Sequence, residues 1–343
     1  MPQPPFSAGA RFLLLAAAFV ILVAGMQAAV SLLVPFLLSL FVAVIATPPL
    51  FYLKSKGIPG GWAILIVVLG IVIVGLLLGW LVGGSLNDFT GNLPKYQERL
   101  STQSQGLQQW LAQHGISLNA GFLLNYLDPG KAMGLAGSLL SGLGNVLTQA
   151  LLILITVIFM LLEAAVFSTK LQALSDDPQA SLQRITEITS SIKRYMMIKT
   201  STSLLTGVLV TVLLLIVGVD YPVLWGLLAF LFNYVPNIGS IIAALPALLL
   251  ALVQLGLGGA LWSALGYLLI NTLVGNVIEP RFMGKGLGLS PLIVFISLVF
   301  WGWVLGPVGM FLSVPLTMTV KIVLDSSDET RGFAVLLGQE REA

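Results

Sequence analysis

Two short stretches set polar and charged residues within strongly apolar surroundings. The first contains Asn233, Pro236, Asn237, Gly239 and Ser240, and the second runs from Asn271 through Asn276 to Glu279, Pro280 and Arg281. Amides and hydroxyls both donate and accept hydrogen bonds, so an uncharged polyhydroxylated solute would suit the first stretch. Pro236 and Gly239 interrupt a helix, and backbone groups freed by the break must meet protein, water or a ligand where lipid surrounds them. The plainer reading of this break is a capped turn at a water interface. Glu279 has the chemistry to accept a proton or bind a cation; its plainer role is an interfacial cap and salt bridge. A charge at the bilayer centre costs about 2.5 to 3.5 kcal/mol even on the lenient insertion scale, so Glu279 and Arg281 seek partners or water. Residues two apart do not share a helix face, and Pro280 biases Glu279 away from α geometry, so the triplet predicts a helix end with its charges aimed differently. Asn271 and Asn276 point about 140° apart on an ideal helix and need not meet one ligand; Asn271 alone reads most simply as a bond to a neighbouring helix.

Other chemistries find little material. The chain has no cysteine, which excludes disulfides, thiolate metal sites and cysteine nucleophiles. A single histidine, His114, makes a histidine-based metal site or a Ser-His-Asp triad improbable. Gly284, Lys285, Gly286 and Gly288 lack the spacing of a phosphate-binding loop and read as a flexible joint, with Gly306 and Pro307 as a second. No cofactor or metal is expected, and no ATP-binding motif is visible. A net charge of +2 spread over separate loops leaves no footprint for nucleic acid.

The elements that position these residues are membrane helices. Of 343 residues, 57% are hydrophobic and 9% charged, with a mean hydropathy of +1.00; soluble domains carry roughly 25% charged residues. Runs approaching the roughly 20 residues that cross a bilayer, without strand-like alternation, predict an all-α polytopic membrane protein. It reads as one membrane transport domain of about eight transmembrane helices plus a broken re-entrant helical hairpin and a small external helical segment. Residues 12–86 hold the first three spans, the second ending at Pro48 and Pro49. The first is an uncleaved span and not a signal peptide. The third, Trp62 to Leu86, carries glycines that permit close helix contact. Residues 87–145 form the external segment, where Tyr96, Leu100, Leu107, Trp110 and Leu111 share one helical face and Asp128, Pro129 and Gly130 mark a turn. Spans four and five lie within 146–219, with a cytoplasmic amphipathic helix at 178–199 capped by Asp177. The hairpin occupies 222–254, the last three spans 257–324, and a cytoplasmic tail 325–343. Counting Lys54, Lys56, Lys170, Arg184, Lys193, Arg194 and Lys199 as loop residues on one side places both termini in the cytoplasm. Trp225, Gly226, Pro236, Gly239 and Pro246 recur in order as Trp301, Gly302, Pro307, Gly309 and Pro315, a faint internal echo of the kind that marks transporter halves.

The strings LLVPFLLSLFVAVIATPPL, NYVPNIGSIIAALP and GNVIEPRFMGKGLGLSPLIVFISLVFWGWVLGPVGMFLSVPL, with the external LDPGKAM turn, resemble the autoinducer-2 exporter family of bacterial inner-membrane proteins. The resemblance spans nearly the whole chain. It implies export of autoinducer-2, a small furanone-derived signal, contact with membrane lipid, and assembly as a homo-oligomer such as a pentamer. Some members are proposed to exchange Na⁺ or Li⁺ for protons, so membership leaves the substrate open.

Two functions therefore stand at this point beside a non-transporting scaffold, which the broken hairpin argues against. One is a gradient-driven or facilitated carrier of autoinducer-2 or a similar small polar solute, working by alternating access as the hairpin and the Leu289 to Leu324 pair move against the first spans. The other is a Na⁺(Li⁺)/H⁺ antiporter using Glu279, against which stands the scarcity of acidic residues in the spans. A ligand touching both the hairpin break and Glu279 would sit between them, near mid-membrane.

Overall fold

The computed structural model describes residues 7–113, 149–174, 178–236, 238–283, 289–325 and 330–338. Among these the ordered elements are helical, in the order α1 (Ala8–Ala28), α2 (Val30–Ser55), α3 (Gly60–Gln113), α4 (Ala150–Leu174), α5 (Pro178–Val217), α6 (Pro222–Phe232), α7 (Ile238–Asn271), a π-helical turn (Thr272–Ile278), α8 (Glu279–Met283), α9 (Pro291–Asp325) and α10 (Arg331–Leu336). Val30–Ser55, Gly60–Ser85, Thr189–Val217, Ile238–Phe282 and Pro291–Asp325 are long and apolar enough to cross a membrane, and Phe12–Ala28, Ala150–Glu163 and Pro222–Phe232 are shorter apolar helices. Gly256 (φ +73°) breaks α7 into two arms, and Gly306 (φ +70°) breaks α9. Both take left-handed backbone that a side chain disfavours. The arrangement is that of a polytopic helical membrane protein.

Local chemistry accounts for several ends and joins. The Ser7 hydroxyl accepts from the Ala10 amide at 3.2 Å and caps α1. On α2 the fully buried Ser39 hydroxyl donates to Pro35 O at 2.7 Å in its own helix and lies 3.3 Å from Ile153 O of α4. Pro48 and Pro49 do not end α2, which continues to Ser55. A membrane helix tolerates proline where neighbouring groups meet the carbonyls its missing N–H leaves free. Nor are the third span and the external helix separate elements. They form the single helix α3, whose 54 residues extend roughly 80 Å, with Pro94 inside it. Of the expected amphipathic face, Tyr96 is buried; His114, the turn at residues 128–130 and Asp177 lie outside the described residues.

The chain divides into two compact units: Met1–Val44 with Leu152–Ile188 and Gly288–Ala343, and Ile45–Leu151 with Thr189–Leu287. The hairpin at 222–254 belongs to the second and the Leu289 to Leu324 pair to the first. In the first unit, Val23 of α1 packs with Val304 and Leu305 of α9, and Phe19 stacks on Phe300 with centroids 6.0 Å apart. The arms of α9 fold back on each other: Trp301 Nε1–H donates to Thr317 Oγ1 at 3.0 Å, although sixteen residues of straight helix would separate them by about 24 Å. In the second unit, one core joins Val82 and Phe89 of α3, Val210 and Leu214 of α5, Leu224, Trp225 and Leu228 of α6, and Ala247 and Leu250 of α7. α5 and α6 meet backbone to backbone, and a Cβ at Gly226 would lie 2.6 Å from Gly207 O and 1.9 Å from Thr211 Oγ1. Glycine here permits the close approach expected of membrane helix pairs.

Candidate functional site

One face of α5 gathers the polar residues of the second unit. Tyr195, Lys199, Thr202 and Thr206 recur at helical spacing, with Ser203 beside Thr202, and each is at most 5% exposed. Two hydroxyls turn back into their own helix: Thr202 donates to Lys199 O at 3.1 Å, and Thr206 to Thr202 O at 3.0 Å. Burial therefore does not leave them unsatisfied.

The hairpin tip closes onto this face. Asn233 Nδ2–H donates to Ser203 Oγ at 2.9 Å, and the Tyr234 hydroxyl to Thr200 Oγ1 at 2.7 Å. The tip turns tightly, with Val235 N–H bonded to Phe232 O at 2.9 Å and Gly239 N–H to Val235 O at 3.3 Å. A Cβ at Gly239 would fall 1.9 Å from Phe232 O, which requires glycine there. Pro236 and Ser240 flank this point, both half-buried. Asn237 lies outside the described residues.

Glu279 reaches the same turn of α5 from another direction. The Lys199 ammonium donates to Glu279 Oε1 at 2.7 Å and to Oε2 at 2.9 Å, and Thr202 Oγ1 lies 3.4 Å from Oε2. The paired side chains are 6% and 15% exposed. Both residues stand within stretches apolar enough to cross a membrane, so neither charge has much water to fall back on. Contrary to the expectation of a helix end, Glu279 is helical (φ −57°, ψ −48°), and the helix continues to Met283. The π-helical turn explains this. Glu279 N–H bonds to Val274 O, one residue further back than in an α-helix. The widened register relieves the clash that a proline ring makes with the carbonyl four residues back, so Pro280 fits.

The remaining expected residues are dispersed. Arg281 is exposed, Asn276 is exposed, and Asn271 is half-buried; none is bonded to the Lys199–Glu279 pair. Gly284, Lys285, Gly286 and Gly288 lie outside the described residues. Gly306 and Pro307 belong to the first unit, where a Cβ at the nearby Gly309 would fall 1.9 Å from Trp301 O. Ser263 and Tyr267, one turn apart on the second arm of α7, bury hydroxyls that have no hydrogen-bond partner among the described residues. Sequence reasoning missed Lys199, Thr202 and Ser203 as site residues. The four-three-four spacing of polar residues from Tyr195 to Thr206 was the available signal, because such a face in an apolar stretch must find partners.

At its other end the hairpin is tied through Asp220. Tyr96 of α3 donates to Asp220 Oδ2 at 2.9 Å, Gln254 Nε2–H donates to the same oxygen, Asp220 N–H donates to Gln254 Oε1 at 3.0 Å, and Trp225 Nε1–H donates to Asp220 O at 2.9 Å. Burial, then hydrogen bonds with Tyr221 and Asp220, raise the Tyr96 phenol above its ordinary pKa. An open cleft of about 470 Å³ beside it is lined by Glu98, Arg99, Thr102, Val253 and Gln254.

Membrane-length apolar helices, a hairpin interrupted within them and a buried polar cluster at its tip define a multi-pass α-helical membrane protein with an internal site. The sequence model of the AI-2E family transporter matches residues 13–328, and the chain belongs to that family. It is 41% identical over 329 residues to the AI-2 transport protein TqsA of Escherichia coli strain K12, covering 96% of each chain. A Haemophilus influenzae protein named for transport is 40% identical over 334 residues, with 96% of each chain covered. The E. coli transport protein YhhT is 35% identical over 340 residues, 99% of this chain and 97% of its own. These relatives support a transporter of the bacterial inner membrane.

Proposed function

We propose that the protein exports autoinducer-2 or a similar small, uncharged polar solute, by gradient-driven or facilitated alternating access. The observation that carries this reading is the hairpin tip: Asn233 and Tyr234 spend their hydrogen bonds on Ser203 and Thr200 of α5, beside a charge pair that is internally neutralised. When the tip parts from α5, these amide and hydroxyl groups become free to bind a solute rich in hydroxyls and carbonyls. Similarity to a relative named for AI-2 transport supports the solute's identity. The alternative, Na⁺(Li⁺)/H⁺ exchange at Glu279, loses ground because the Lys199 ammonium already occupies both carboxylate oxygens.

In this reading Asn233, Pro236, Asn237, Gly239 and Ser240 bind or gate, with Thr200, Thr202 and Ser203 facing them; Asn271, Asn276 and Arg281 are auxiliary contacts. The glycines at 284, 286 and 288, with Gly306 and Pro307, act as joints. Both termini lie in the cytoplasm, and the resemblance adds a homo-oligomer, a pentamer being the form that native mass spectrometry in detergent tests. For the substrate, the purified protein in liposomes is assayed with autoinducer-2 and, separately, with Na⁺ under an imposed pH gradient. Signal flux without Na⁺-driven proton movement is the expected result; proton movement without signal flux contradicts it.

A further inference from the structure

The ammonium of Lys199 sits where a metal cation would have to sit to bind Glu279. It contacts both carboxylate oxygens, at 2.7 and 2.9 Å, from within a pair that is 6% and 15% exposed. Hard cations such as Na⁺ take oxygen ligands, and the oxygens here are the two of Glu279 and the hydroxyl of Thr202, 3.4 Å from Oε2. The other described basic side chains of this region are turned elsewhere: Arg194 and Arg281 are exposed, and Lys193 is half-exposed. The placement also has a structural cost that a mere surface ion pair does not need. A π-helical turn, with Glu279 N–H bonded to Val274 O, delivers Glu279 to α5, and single π-turns concentrate at functional sites.

We propose that Lys199 is a built-in cation, which fills at Glu279 the position an alkali metal ion takes in a cation-driven carrier. The site is thereby neutral without a bound ion, and solute movement draws on no Na⁺ or K⁺ gradient. The inference rests on the solute-carrier reading above for its consequence, but not for its geometry. Removing the ammonium while keeping the carboxylate leaves an uncompensated charge among buried groups, and that charge recruits an alkali cation from solution.

The test has one readout that needs no transport and one that does. Thermal unfolding of purified wild type, Lys199→Met and the double variant Lys199→Met/Glu279→Gln is followed in NaCl, KCl and N-methyl-D-glucamine chloride at matched ionic strength. The expected result is a saturable rise in Tm with Na⁺ or K⁺ for Lys199→Met alone, with wild type and the double variant indifferent to the cation. Autoinducer-2 flux in liposomes then shows wild type equal in the three media, and Lys199→Met at least about tenfold slower in N-methyl-D-glucamine than in Na⁺ or K⁺. A folded Lys199→Met without cation response in either readout overturns the proposal and makes the pair a structural staple. If Lys199→Met does not fold, Lys199→Gln, which also removes the ammonium and keeps the carboxylate, is scored against the same outcomes: a cation response in it alone supports the proposal, and no response overturns it. Absence of autoinducer-2 flux in wild type, with the Tm pattern intact, contradicts the solute reading and leaves the built-in cation standing.

Discussion

The two helical hairpins, one in each unit, close by the same device and differ in what they present. At both tips a glycine lies against a carbonyl from the preceding arm: a Cβ would stand 1.9 Å from Phe232 O at Gly239 and 1.9 Å from Trp301 O at Gly309. In the second hairpin the polar side chains bond within it, Trp301 to Thr317 across its arms and the Ser313 hydroxyl to Met310 O, and Gln27 of α1 reaches only a backbone carbonyl, Trp303 O, at 3.3 Å. The first turns its polar groups outward to a different helix, Asn233 to Ser203 and Tyr234 to Thr200, within one turn of a buried ion pair. Side chains bonded across a helix interface, as at the first tip, can exchange those partners for a solute; side chains bonded within their own hairpin have none to exchange. On the proposed function, binding falls to the first hairpin and a structural role to the second.

The largest effects should come from the charges that only the second unit sets beside its hairpin tip. Glu279→Ala leaves the Lys199 ammonium buried and alone, which should cost about 3 to 5 kcal/mol of stability, read as lost folded protein in thermal unfolding. The neighbouring Arg281→Ala, at an exposed position, should stay within about 0.5 kcal/mol; equal losses would show that the pair has no special place. Next come the two tip glycines. Gly239→Ala and Gly309→Ala should each cost about 1 to 3 kcal/mol, since a methyl group in either place meets backbone that cannot move aside cheaply. The first should in addition stop autoinducer-2 flux in liposomes, whereas a second variant kept folded by low temperature should retain some. Smaller again, Asn233→Ala should cost about 0.5 to 1.5 kcal/mol and raise KM, while Thr317→Val should cost a similar amount and leave KM alone. The least effect is expected at Ser263→Ala. Its hydroxyl is buried without a partner among the described residues, so its removal should leave Tm unchanged or higher; a clear drop would reveal a bound water or solute.

Much of this was legible in the chain because membranes punish the same features wherever they occur. Pro236 and Gly239 announced a break, and Glu279 before Pro280 announced a charge that had to be met. The echo that sets Gly239 against Gly309 reads as a mark of transporter halves; in the structure both glycines lie against a carbonyl of the preceding arm. Three things were hidden for physical reasons. Lys199 was counted with the loop cations because a lysine near a span's start ordinarily snorkels to water, and only the tertiary position of Glu279 draws it inward. The π-turn has no residue signature, so its effect on Glu279 is invisible in the chain and Glu279-Pro280-Arg281 reads as a helix end. Pro48 and Pro49 read as a stop, and the boundary before Asn87 as another. Yet α2 and α3 run on through both, since composition changes at a membrane surface while helical hydrogen bonding does not have to.

Opening of the first hairpin tip against α5 is the central claim, and the absence of cysteine from the chain makes it directly testable. The double variant Asn233→Cys/Ser203→Cys replaces the 2.9 Å hydrogen bond with a bond that an oxidant makes and a reductant breaks. Autoinducer-2 flux through the oxidised protein in liposomes should fall to the level of empty vesicles and return on reduction. Undiminished flux with the crosslink fully formed would contradict the account.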